Sequence, residues 1–71
     1  MSKAPEFAMR VLKLKDVVEK TGLGKTSIYK LINLKIFPRS INLGLRSVGW
    51  IESEIEEWIQ EKINARDEQA V

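Results

Sequence analysis

The chain has neither cysteine nor histidine among its 71 residues. Without cysteine there is no disulfide framework and no thiolate metal site. Without histidine the commonest metal ligand and the usual acid–base group are missing too. A zinc finger is thereby excluded. Long apolar runs are also lacking: nothing approaches the roughly 20 residues of a membrane-spanning helix. The N-terminal residues carry no hydrophobic signal-peptide core, so a cytoplasmic protein with no membrane partner is expected. Repeats and low-complexity tracts are absent. What remains suits a small folded unit. Hydrophobic residues make up 44%, which argues against disorder of the whole chain. One domain is expected, of marginal stability, because a chain this short buries only roughly 60% of its unfolded surface.

Acids are scarce in the first part of the chain. Residues 1–50 hold ten Lys/Arg against three Asp/Glu, a net +7, and residues 51–71 hold two against seven, a net −5. From Lys20 to Arg46 the charged residues are Lys20, Lys25, Lys30, Lys35, Arg39 and Arg46, with no acid between them. Such asymmetry points to a polyanion on one side of the molecule. A basic, merely solvated surface would give the same count.

Residues 1–9 include Pro5 and show no period, so they read as a flexible leader. Arg10-Val11-Leu12-Lys13-Leu14 alternates, as a short strand or extended segment does. Leu14, Val17 and Val18 then fall at helical spacing, with Asp16 near the start and Lys20 near the end, as the helix dipole favours. Thr21-Gly22-Leu23-Gly24 interrupts. Gly22 can adopt the left-handed conformation that closes a helix, and Leu23 supplies an apolar plug.

A second helix is expected over 25–34. With about 100° per residue, Leu31 and Ile32 lie within about 60° of Ile28, and these three form its buried stripe. The opposite face collects Thr26, Lys30 and Asn33, flanked by Ser27 and Tyr29. Gly24 is a weak N-cap. Lys25 opposes the helix dipole there, a choice that a nearby phosphate would explain. Pro38 cannot continue a helix and pushes Phe37 toward an extended conformation.

Ser40 to Gly44 alternates, Leu45-Arg46 makes a tip, and Ser47 to Trp50 can return antiparallel, a hairpin with Arg46 exposed. An isolated hairpin is marginal, so Trp50, Phe37 and the last helix are expected to hold it. Trp50, Trp58 and Phe37 read as core rather than as base-stacking platforms. The last helix, about Glu52 to Arg66, lines up Ile51, Ile55, Trp58, Ile59 and Ile63. Glu54, Glu56, Glu57 and Glu61 face water. Ser53 and Glu56 have capping-box spacing. Residues 67–71 form a polar tail expected to fray.

The expected fold is therefore mainly α with a small β-hairpin: three helices plus a two-stranded wing over residues 10–66, a winged helix-turn-helix. No catalytic constellation exists, so no enzyme, cofactor or small-molecule substrate is expected. "GLGKT", residues 22–26, lacks the full spacing of a phosphate loop. The nucleic-acid reading uses more of the residues. A recognition helix brings its first turns to base edges in the major groove of double-stranded DNA. Lys30 can donate to guanine O6 or N7, and Thr26 or Ser27 can reach a base or a phosphate. Asn33 lies further along, toward the backbone. The Tyr29 ring can pack at the core edge while its hydroxyl reaches phosphate. Lys25, Arg39 and Arg46 suit phosphate or minor-groove contacts.

"LKDVVEKTGLGKTSIYKLI" followed by "FPRSINLGLRSVGWIESEIEEWI" resembles the AlpA family of prophage regulatory proteins. These are small winged-helix proteins related to the MerR-type DNA-binding domain and to phage excisionases. The likeness covers about residues 10 to 60. It implies a DNA-binding transcription regulator of a mobile element, with Lys25, Thr26, Ser27, Tyr29 and Lys30 on the recognition helix and Leu43 to Ser47 as the wing. Two positions depart from the family pattern. Gly24 stands where Ser is often the helix cap. Leu45 stands where a second glycine is common, which implies a stiffer tip.

Three functions follow. The first is a sequence-specific transcription regulator that reads the major groove with 25–34 and phosphates with the 43–47 wing. The second is an excisionase-like factor that bends DNA beside an integrase. The third, of another class, is a protein-interaction module using the acidic last helix. A single recognition helix reads few base pairs and no heptad seam is present, so a monomer that pairs with itself on adjacent sites is expected.

Overall fold

The computed structural model describes residues 9–69. Its elements are β1 (Val11–Leu12), α1 (Leu14–Thr21), α2 (Lys25–Asn33), β2 (Ile41–Gly44), β3 (Ser47–Ile51) and α3 (Glu52–Gln69). The strand order is β1-β3-β2, antiparallel throughout, so the hairpin gains a short third strand. Val11 pairs with Ile51 and Leu12 with Trp50. The alternation over 10–14 thus resolves as a strand, and it closes one edge of the wing.

Gly49 sits in the central strand, where two neighbours cross it. A Cβ there would collide with Val11 Cγ1 and stand 3.1 Å from both the Leu12 carbonyl oxygen and Leu43 Cδ1. Glycine leaves β1 and β2 room to close over β3 at this point, where any side chain would have to displace Val11.

Among the described residues six hydrophobic side chains are buried: Leu12, Val17, Ile28, Phe37, Trp50 and Ile55. They come from β1, α1, α2, the 34–40 connection, β3 and α3 in turn. Leu14, Val18, Leu23, Leu31, Ile32, Trp58 and Ile59 pack around them. The expected stripes of α1 and α2, and the Leu23 plug, are all in this cluster. Trp50 is fully buried, and its Nε1 donates to the Pro38 carbonyl oxygen at 3.1 Å. Trp58 donates its Nε1 to the Ile36 carbonyl oxygen at 2.8 Å and meets Phe37 edge-on at 4.8 Å between centroids. The aromatics therefore act as core and as ties on the segment after α2, each tryptophan with its N–H satisfied.

Gly22 closes α1 in the left-handed region, φ 78°, with its N–H donating to the Val18 carbonyl oxygen at 2.8 Å. The Thr21 hydroxyl donates to the Val17 carbonyl oxygen and accepts from the Leu23 N–H. These bonds fix the short turn between α1 and α2.

Four expectations are corrected. Ser53 and Glu56 form no capping box, because α3 already begins at Glu52. The Glu52 N–H, one of the unpaired donors of the helix start, donates to the Arg10 carbonyl oxygen at 2.8 Å at the sheet edge. Ile51 belongs to β3, not to the helical stripe, since its pairing with Val11 extends the strand. Helix α2 ends at Asn33, with Leu34 as its cap. Helix α3 continues through residues 67–69, which were expected in the tail, and leaves 70–71 outside the described residues. Of the expected leader only Met9 is described.

Candidate nucleic-acid interface

Helix α2 is held to the core mainly by its apolar stripe. Ile28 is fully buried, with Leu31 and Ile32 packed beside it. Its start has no side-chain cap: Gly24 is extended, φ −76° and ψ 165°, and offers only its carbonyl oxygen to the Ile28 N–H. Its end is a Schellman closure. The Lys35 N–H donates to the Ile32 carbonyl oxygen at 2.9 Å and the Ile36 N–H to that of Leu31 at 3.0 Å. Lys35 takes the left-handed conformation there, φ 64°, where glycine is favoured. Its charge is well placed near the negative end of the helix dipole.

The opposite face carries the expected group. Lys25, Thr26, Ser27, Tyr29, Lys30 and Asn33 are all exposed. Tyr29 is 43% exposed, and its ring leans on Trp50 at 6.4 Å between centroids. The ring is thus anchored at the core edge while much of the residue stays open to solvent.

Beyond α2, the hairpin turns over Leu45-Arg46, with Gly44 opposite Ser47 and an irregularity in β2 between Asn42 and Gly44. Asn42 Oδ1 accepts from the Gly44 N–H at 3.0 Å. Arg46 is exposed and left-handed, φ 57°. Ser47 is half-buried, and its hydroxyl oxygen accepts from Lys13 Nζ at 3.0 Å. Lys13 is a residue that sequence reasoning missed. The contact spans 34 positions, and no local motif marks it. Its ammonium retains further N–H donors, and the Ser47 O–H remains a donor.

Arg39 stands apart from the others. It is exposed in the segment after α2 and lines an open groove shared with Glu54, Glu57 and Glu61 of α3. The structure does not group it with the face of α2.

Ion pairing sorts the cations. Lys20 lies 3.7 Å from Glu52 and 3.2 Å from Glu56, and Arg10 lies 3.4 Å from Glu52. Lys20, counted from sequence in the acid-free stretch, is therefore spent inside the protein. Among the described residues, Lys13, Lys25, Lys30, Lys35, Arg39 and Arg46 make no ion pair.

Two helices joined by a three-residue turn, followed by a braced hairpin, define a winged helix-turn-helix protein. Residues 10–63 match the family described as "Prophage CP4-57 regulatory protein (AlpA)". The chain belongs to this AlpA family. It is 43% identical over 61 residues to the protein named "DNA-binding transcriptional activator AlpA" of Escherichia coli (strain K12), covering 78% of this chain and 87% of the relative. It is 35% identical over 57 residues to "Uncharacterized protein ORF88" of Enterobacteria phage P4, covering 80% of this chain and 65% of that one. No helix among the described residues is long and apolar enough to cross a membrane.

Proposed function

We propose that this chain is a sequence-specific DNA-binding transcription regulator of a prophage or related mobile element, working in the bacterial cytoplasm. Helix α2 enters the major groove. Lys30 donates to a guanine edge, and Thr26 and Ser27 contact a base or the neighbouring phosphate. Lys25 at the start of α2 meets a phosphate, Asn33 meets the backbone further along, and Tyr29 adds its hydroxyl from the core edge. The wing contributes Arg46 and Ser47, with Lys13 beside them. Arg39 takes a phosphate outside this cluster. Positive control, the role in the name of the 43%-identical relative, is the working assignment. Copies bind adjacent sites, because one recognition helix reads too few base pairs for tight binding. Assembly beside an integrase belongs to the excision role.

One observation carries this reading. The exposed face of α2 combines hydroxyls, an amide and two unpaired lysines, while α3 uses its own carboxylates on Lys20 and Arg10. A basic surface without a polyanion partner has no need of that partition.

The test is selection of bound duplexes from a random pool at roughly physiological salt, where nonspecific phosphate attraction is partly suppressed. A recurring short motif is expected. Lys30→Ala should then cost about 1–3 kcal/mol of specific binding and relax preference at one position. Sequence-blind binding in the roughly 10⁻⁴–10⁻⁶ M range would instead favour the protein-interaction reading, with α3 as its surface.

A further inference from the structure

The tip of the wing joins two unusual features at adjacent positions. Leu45 is 98% exposed, far above the 39–45% of Ile41, Leu43 and Val48 in the strands behind it. Arg46, next to it, holds a left-handed backbone without being glycine or asparagine. A single exposed leucine is ordinary on a protein surface. A leucine with no neighbour, on a two-residue tip whose other member is strained and cationic, is not. Turn chemistry alone would place glycine or asparagine at the left-handed second position of the tip. Breaches of local preference concentrate where a partner supplies the missing compensation.

The tip is also held firmly. Asn42 ties the Gly44 N–H and Lys13 braces Ser47, while β1 pairs with Trp50 and Ile51 at the other end of β3. The irregularity in β2 behind the tip adds local twist. An apolar side chain thus projects from a stiff, narrow support with an arginine beside it.

We propose that Leu45 is a DNA wedge. Its side chain enters the minor groove, partly unstacks one base step and kinks the duplex, while Arg46 anchors the tip in the same groove. Apolar side chains do this in minor-groove binders, and arginine is drawn to a narrow minor groove. The unstacked step provides the apolar surface that Leu45 lacks in the free protein. This inference rests on the reading that the 43–47 wing lies on DNA, and it adds that the protein deforms what it binds.

The experiment uses the full chain and a duplex carrying the selected motif, labelled at both ends. End-to-end energy transfer reads bending, titration reads affinity, and thermal unfolding reads the fold. The wild-type chain should bend the duplex by an angle in the roughly 20–90° range of wedge-bearing proteins. Leu45→Asn should bind about tenfold more weakly, the scale of one lost leucine burial, and should leave the duplex close to straight. Its melting temperature should be unchanged or higher, because Leu45 packs on nothing. Leu45→Met should restore the bend. A straight duplex with wild-type protein, or a full bend with Leu45→Asn, overturns the wedge. Weaker binding by Leu45→Asn at an unchanged bend also overturns it, leaving a simple apolar contact. Arg46→Gln separates this failure from failure of the underlying reading. If it flattens the salt dependence of binding while Leu45 proves inert, the wing still lies on DNA. If neither variant has an effect, the wing is off the DNA and both proposals about it fall.

Discussion

Helices α2 and α3 divide the charge of this protein between them. Helix α2 carries Lys25 and Lys30 and no acid, while α3 carries seven acids, from Glu52 to Glu68, against Lys62 and Arg66. The difference lies in what each helix does with its charge. Carboxylates of α3 reach back to Lys20 and Arg10 and neutralise them within the molecule. The lysines of α2 are left uncompensated. A count of cations along the chain treats Lys20 and Lys30 alike, and only the packing separates them. The general lesson is that a basic surface is defined by subtraction: it consists of the cations that the protein's own acids do not reach.

Substitutions at three positions probe the sheet that carries these helices and the division of charge between them. The largest effect is expected at Gly49, in the strand that meets both α1 and α3. Gly49→Ala puts a methyl group into Val11 and against the Leu12 carbonyl oxygen. It should destabilise the fold by about 1–3 kcal/mol, the scale of overpacking a closed site. Urea unfolding would check it, and an unchanged midpoint would mean that β1 is free to move away. The next effect distinguishes the two kinds of lysine. Lys20→Gln should cost no more than about 1 kcal/mol of stability, because its pairs are partly exposed. Specific DNA affinity should hold, in contrast to Lys30→Ala. Equal losses of DNA binding in both variants would erase the distinction between them. The smallest effect is at Gly24. A Cβ there meets nothing within 4 Å, and the backbone is extended. Gly24→Ser should supply the missing cap of α2 and stabilise by a few tenths of a kcal/mol, seen as a higher denaturant midpoint at unchanged slope.

Most of this fold is legible in the sequence because its signals are local. The 3.6-residue period places α1, α2 and the buried stripe of α3. Gly22 marks the end of α1, Pro38 bars a helix beyond α2, and Gly44 announces the turn of the wing. The polar face of α2 follows from the same period as its apolar one. What escapes is pairing between distant segments. Nothing near Val11 indicates that it will lie against Ile51. That single pairing moves Ile51 out of the helix and hands the Glu52 N–H to Arg10. The spacing of Ser53 and Glu56 is genuine capping-box spacing, but the sheet edge reaches the helix start first. Lys13 beside Ser47, and Lys20 beside Glu52 and Glu56, are likewise contacts that no window of local sequence contains. The left-handed backbone at Lys35 and Arg46 is invisible for a different reason, since neither residue type advertises it.

The buried cluster draws one residue from nearly every segment: Leu12, Val17, Ile28, Phe37, Trp50 and Ile55. No contributing segment therefore owns a core of its own, and only β2, exposed along its length, adds nothing to the shared one. Such a molecule should melt as one unit, and the most protected amides of α2 should exchange with solvent only through global opening. The surface that meets a ligand is then as durable as the whole chain. A ligand that selects the folded state will then slow the exchange of the globally protected amides around buried Ile55 in α3, far along the chain from where it binds, by the same factor as those of α2.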